Sequence, residues 1–130
     1  MSSITYSDLK FVSRSDLASM LRSKQPGVTI IDVRDDDYIG GHILGSQHVP
    51  VGTHDYKMPE LVRTLRDENL VVFHCTLSQQ RGPGSALRYL RERKGMVNAG
   101  TVPQRKDGEN LEVAQQVKVL DGGFSKWQQM

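Results

Sequence analysis

Cysteine is nearly missing. The 130-residue chain has one, Cys75, so no intrachain disulfide can form and a reducing compartment is expected. No apolar run approaches the ~20 residues of a membrane-spanning helix. The start, Met1-Ser2-Ser3-Ile4-Thr5-Tyr6, lacks the basic opening and apolar core of a signal peptide. Together these absences point to a cytosolic or nuclear protein with no membrane partner. Neither sign of charge dominates: charged residues make up 25%, the net charge is +2 and there is no long basic block, which argues against nucleic-acid binding. His42 and His48 have no Cys or carboxylate at ligand spacing around them, so no metal site is expected and packing or surface roles are preferred. Repeats and composition shifts are also lacking. One domain over residues 1–130 is the expectation, long enough to bury a core.

What is present is concentrated in Val71-Val72-Phe73-His74-Cys75-Thr76-Leu77-Ser78-Gln79-Gln80-Arg81-Gly82-Pro83. Leu70 to Phe73 is apolar and β-branched, the pattern of a buried parallel strand. Pro83 suits the first turn of a helix, and Ala86, Leu87 and Leu90 follow at helical spacing. Cys75 is therefore expected at the C-terminal end of a strand, in a loop that empties into a helix N-terminus. Converging backbone N–H groups and the positive end of the helix dipole suit an oxyanion there. Arg81 can add a planar fork to the same anion. Such a field lowers a thiol pKa to about 3.5–7.5, making Cys75 a thiolate nucleophile at neutral pH. The plainer alternative, an inert buried Cys, is disfavoured by the arginine at this offset.

The pattern Cys75-x-x-Ser78-x-x-Arg81-Gly82-Pro83 resembles the signature loop of the cell-cycle dual-specificity phosphatases that activate cyclin-dependent kinases. It is closer still to their small single-domain relatives in fungi and plants, some of which reduce arsenate. Those domains have the rhodanese fold. Ile31-Asp32-Val33-Arg34 with Gly41-His42-Ile43 and Gly45-Ser46 resembles the first rhodanese signature, and Leu120-Asp121-Gly122-Gly123-Phe124 with Trp127 the second. The resemblance covers nearly the whole chain. It implies an α/β, rhodanese-like fold with a central, mainly parallel five-stranded sheet and helices on both faces.

It also implies roles. Cys75 and Arg81 would be catalytic, and Thr76, Leu77, Ser78, Gln79, Gln80 and Arg81 would line the oxyanion loop, with His74 and Asp32 in support. The implied substrates are a phosphate or arsenate oxyanion, with a phosphotyrosine protein among the candidates. No cofactor is bound; an arsenate reductase would draw on glutathione or glutaredoxin. The implied activity is a cysteine-dependent tyrosine or dual-specificity phosphatase working through a phosphocysteine, with arsenate reduction as the alternative. A sulfurtransferase or silent binding module ranks last. Cys75 to Arg81 spans seven residues, whereas sulfurtransferase loops in this fold are typically one shorter. Three departures matter. Gln80 replaces the Glu of the cell-cycle enzymes, Val33 stands where they carry a second Cys, and Gly82 supplies no hydroxyl beside the Arg. Without that second Cys, any redox cycle needs an outside thiol. Cyclin-dependent kinases are not expected as substrates, because no regulatory extension is present to dock them.

Elsewhere, Ile4 to Tyr6, Lys10 to Val12, Val28 to Val33 and Gln116 to Leu120 are expected strands. Ser13 or Ser15 is expected to cap a helix over about Asp16 to Arg22, and Gln25-Pro26-Gly27 to turn. Met58-Pro59-Glu60 is expected to open a helix running to about Arg66. The helix after the signature loop is expected to end near Gly95, with residues 95 to 115 a long connection, either a mobile surface loop or a rim for a substrate or partner. Two uses fit Asp35, Asp36 and Asp37: general acid for a leaving alcohol, or helix capping near Tyr38 while Asp32 and Arg34 bridge loops. The structural use is preferred. Gly122-Gly123 is expected to turn into a terminal helix with Trp127 as a core plug.

Overall fold

A computed structural model describes residues 4–33, 46–74 and 81–120. In chain order these form β1 (Lys10–Val12), α1 (Arg14–Arg22), β2 (Val28–Asp32), β3 (Gln47–His48), α2 (His54–Thr64), β4 (Leu70–His74), α3 (Arg81–Ala99), α4 (Leu111–Ala114) and β5 (Gln116–Leu120). The five strands make one sheet in the order β1-β5-β4-β2-β3, and every pairing is parallel.

The apolar runs of the central strands face both ways. Ile30, Leu70, Val72 and Leu120 pack with Leu17 of α1 on one face. Ile31, Val71, Phe73, Val117 and Val119 pack with Leu61 and Val62 of α2 and Ala86 and Tyr89 of α3 on the other. A parallel sheet buried on both faces explains why β4 reads as a continuous apolar segment rather than an alternating one. The expected rhodanese-like α/β architecture, with helices on both faces, is present.

Three local expectations need correction. Ile4 to Tyr6 is not a strand. Tyr6–Asp8 is a 3-10 turn, closed where the Thr5 N–H donates to Asp8 Oδ2 at 2.8 Å. α2 starts at His54, before Pro59, which lies inside the helix. The imidazole of His54 is buried and its Nε2 lies 3.1 Å from the Val49 carbonyl, so the chain is anchored and coiled a turn before the proline. α3 passes through Gly95 and ends at Ala99, followed by Gly100 at φ +70. Gly95 meets open space and no turn is imposed there, whereas Gly100 supplies the left-handed conformation a helix stop needs.

The later part of the 95–115 connection is also tied down. The guanidinium of Arg105 is buried and donates to the Arg66 and Glu68 carbonyls, to Asn69 Oδ1 and to Asp107. Gln115 is buried just before β5. Its Nε2 donates to the Leu65 carbonyl at 2.6 Å, while its Oε1 accepts from the Tyr89 hydroxyl at 2.8 Å and from Arg93 at 3.3 Å. One side chain thus ties α3 to the end of α2. Burial raises the Tyr89 pKa and lowers that of Arg93. Val113 is among the most exposed apolar residues of the segment.

Candidate active site

β2 and β4 are neighbouring parallel strands whose register pairs Asp32 with His74. Both residues close their strands at the C-terminal edge, and both side chains have 0% relative exposure. His74 Nε2 lies 3.9 Å from Asp32 Oδ2. A carboxylate in this setting requires compensation by a positive or donating partner, and the imidazole is placed to give it. The backbone adds to the joint: the Val33 N–H donates to the His74 carbonyl at 3.0 Å, and the Val49 N–H to the Asp32 carbonyl at 2.8 Å. Val33, at the position of the family's second Cys, is fully buried and packs in the α2–α3 face of the core.

β4 ends at His74 and α3 begins at Arg81. Cys75, Thr76, Leu77, Ser78, Gln79 and Gln80 lie outside the described residues, as do Arg34, Asp35, Asp36, Asp37, His42, Asp121, Gly122, Gly123, Phe124 and Trp127. Arg81 is placed as the first residue of α3. The opening of α3 is set into the protein. Gly82 and Pro83 are buried, as are Ser85 and Ala86. The proline occupies the first turn, where its missing N–H costs nothing. Further along, Tyr89 packs on Phe73 of β4 with ring centroids 5.4 Å apart. The start of α3 is thereby held against the strand that ends at His74.

Of the expected site residues, the structure brings Asp32 and His74 together and puts Arg81 at the helix start. His48, from the histidine pair, is exposed on the edge strand β3, where the register sets it beside Asp32. Among the described residues no group of three or more His, Cys, Asp or Glu could hold a metal. Beside the site, α2 and α3 are joined by an ion pair between Arg88 and Asp55. A groove of about 430 Å³ runs along the outer face of α3, bounded by Tyr6, Gly84, Arg88, Arg91, Glu92 and Gly95. Sequence reading missed this groove. The signal available for it was the spacing of Gly84, Arg88, Arg91 and Gly95 on one helical face.

Comparison with known proteins agrees with the geometry. The rhodanese-like domain matches residues 13–130. The chain is 33% identical over 121 residues to the Arabidopsis thaliana protein named dual specificity phosphatase Cdc25, covering 92% of this chain and 73% of that one. It is 37% identical over 124 residues to arsenate reductase 2.1 of Oryza sativa subsp. japonica, covering 92% and 68%. Among solved structures it resembles Ygr203w, described as a yeast protein tyrosine phosphatase of the rhodanese family. The TM-score is 0.69 at 29% identity, over 98% of this chain and 88% of that one.

Proposed function

The chain belongs to the rhodanese-like domain family, in the branch of Cdc25-like phosphatases and arsenate reductases, and from that premise we propose that it hydrolyses phosphoric monoesters through a covalent phosphocysteine. The observation that carries the reading is the join between β4 and α3. A buried His74 beside a buried Asp32 ends the strand, the helix starts at Arg81, and Cys75 follows His74 directly in the chain. Cys75 is the nucleophile. Its thiolate attacks phosphorus and the ester oxygen departs. Backbone N–H groups of Thr76 to Arg81 and the Arg81 guanidinium stabilise the charge spreading over the equatorial oxygens. Water then cleaves the S–P bond and releases phosphate. Gln80 supplies no acid, so substrates with good leaving groups, aryl phosphates and phosphotyrosine, are favoured. A reducing compartment suits a thiolate mechanism. Among the described residues no helix is long and apolar enough to cross a membrane.

A second reading is arsenate reduction, favoured by the 37% identity to a plant arsenate reductase; the single Cys is compatible with both readings. Arsenate matches phosphate in shape and charge and would enter the same loop. The reaction balances with two glutathione thiols for each arsenate. One oxygen leaves arsenic as water, carrying the two thiol protons, and the products are arsenite and glutathione disulfide. Arsenic gains the two electrons that the thiols lose. The chain has no second Cys, so both reducing equivalents come from outside.

The test is a paired assay of the wild type beside Cys75→Ser. One arm follows hydrolysis of an aryl phosphate. The other follows arsenate-dependent NADPH oxidation through glutathione, glutathione reductase and glutaredoxin. Hydrolysis that disappears in the mutant is the expected result. Coupled arsenate turnover far above hydrolysis makes reduction the main activity. Full activity in Cys75→Ser removes the nucleophile assignment.

A further inference from the structure

We propose that His54 is a positioning residue for the reaction: its buried imidazole, acting through the Val49 backbone, holds β3 against the end of β2 and so keeps the Asp32–His74 pair in place. The proposal deepens the phosphatase reading and rests on it for its kinetic consequence. β3 contains only Gln47 and His48, and both side chains are exposed. Burial of its own residues therefore gives it no hold, and it is shorter than strands usually are. Yet this strand covers the outer edge of β2, pairing Ile31 with Gln47 and Asp32 with His48. Asp32 closes β2 and is fully buried. A short, exposed edge strand thus shields a buried carboxylate, and something beyond the strand must fix it there.

The hold comes from the residues that follow. Val49 is buried in the core shared with α2 and α3. Its N–H donates to the Asp32 carbonyl at 2.8 Å. Its carbonyl lies 3.1 Å from His54 Nε2. A carbonyl only accepts, so Nε2 carries a proton and donates. Both backbone polar groups of Val49 are thus committed, one to β2 and the other to α2. The chain between them is closed. Val51–Thr53 is a 3-10 turn, and the Thr53 N–H and hydroxyl donate to the Pro50 carbonyl at 2.9 and 2.7 Å. On the far side of β2, the Val33 N–H donates to the His74 carbonyl at 3.0 Å. A belt of hydrogen bonds therefore crosses the C-terminal edge of the sheet, from His54 through Val49 and β2 to His74. Without the His54 donor, the buried Val49 carbonyl loses this bond, a loss that favours movement toward water. That movement draws Val49 off Asp32 and opens the edge of β2.

The experiment compares the full chain with His54→Gln, His54→Asn and His54→Leu. The Gln amide nitrogen reaches the place of Nε2, the Asn nitrogen falls short of it, and Leu has no donor. Urea midpoints establish which variants are folded. NMR then gives two readings, the exchange rate of the Val49 amide and the ring-nitrogen signals of His74. In the Asn and Leu variants, Val49 exchange should quicken about tenfold relative to the Phe73 amide, and the His74 signals should move. In the Gln variant, exchange should stay within about threefold of wild type. On an aryl phosphate, the Asn and Leu variants should lose about fivefold in kcat with KM little changed, and Gln should restore it. Should His54→Leu fail to fold, the Gln and Asn variants decide. A folded Asn variant with unmoved His74 signals, whatever its stability, makes His54 a packing residue and overturns the proposal. A Gln variant as impaired as Asn overturns it too, as do moved signals with unchanged kcat. A wild type that hydrolyses no phosphate ester, while its His74 signals follow the variants as expected, leaves the belt standing and removes the phosphatase reading instead.

Discussion

A carboxylate and an imidazole buried side by side, one residue upstream of the proposed nucleophile, make the chemistry of this site a matter of single side chains. With Asp32 and His74 both at 0% exposure and 3.9 Å apart, the carboxylate is placed to orient the imidazole at the end of the strand that leads into Cys75. Asp32→Asn removes the charge and keeps the shape. Its expected cost is about 1–3 kcal/mol of stability, read from the urea midpoint. A purely structural role would stop there. The positioning role also predicts an upward shift in the pH profile of Cys75 alkylation by iodoacetamide, and an unchanged profile would refute it. Arg81→Lys tests the anion fork. Lysine keeps the charge and loses the planar pair of donors, so kcat/KM for an aryl phosphate should fall at least a hundredfold, about 2.7 kcal/mol of transition-state binding.

Elements are held by contacts that propensity does not reveal. Gly27 has φ +78, and a Cβ there would come within 2.8 Å of Asn69 Nδ2. Asn69 cannot move aside freely, because Arg105 donates to its Oδ1 at 3.0 Å. Gly27→Ala should therefore cost more than about 2 kcal/mol, through backbone strain and the clash together. Gly100→Ala, at φ +70 in open space, should cost only about 1 kcal/mol. Denaturant melts of the two variants check the ranking. The 100–115 segment carries a pH signature. The Arg105 guanidinium beside Asp107 holds its carboxyl at about 2, below the usual 3.8. The depressed folded-state value means that the contribution is complete above pH 3.8 and is lost as pH falls toward 2. Asp107→Asn should flatten the fall in urea midpoint across that window, and an unchanged slope would refute the link.

For the whole molecule, the sheet separates two cores that do different work. Leu17 sits in the cluster beneath α1, and Phe73 in the cluster shared with α2 and α3. Truncating either to Ala should cost roughly 2–5 kcal/mol. Only Phe73→Ala removes the support of Tyr89 on α3. At a temperature where both variants are folded, Phe73→Ala should lower kcat on aryl phosphate, and Leu17→Ala should leave it near wild type. Equal losses of kcat would mean that the α1 face also shapes the site.

Local chemistry was enough to read much of this protein. β4 was legible because a doubly buried strand needs an unbroken apolar run, and Pro83 marked the start of α3 because proline suits a first turn. Cys75 and Arg81 stood out by their offset, and the family resemblance added His74 and Asp32 as supporting residues. The start of α2 was not legible, since the bond from His54 to the Val49 carbonyl outweighs the usual position of a proline. Nor was the run of α3 past Gly95, where a glycine stops nothing unless the backbone turns. Tertiary structure alone decided the pairing of Asp32 with His74, the anchoring of the long connection by Arg105 and Gln115, and the groove on α3. Each depends on residues 22 to 50 positions apart, or on the 3-10 turn at Tyr6 folding back onto a helix. Such partners are chosen by sheet register and packing, which no local pattern encodes.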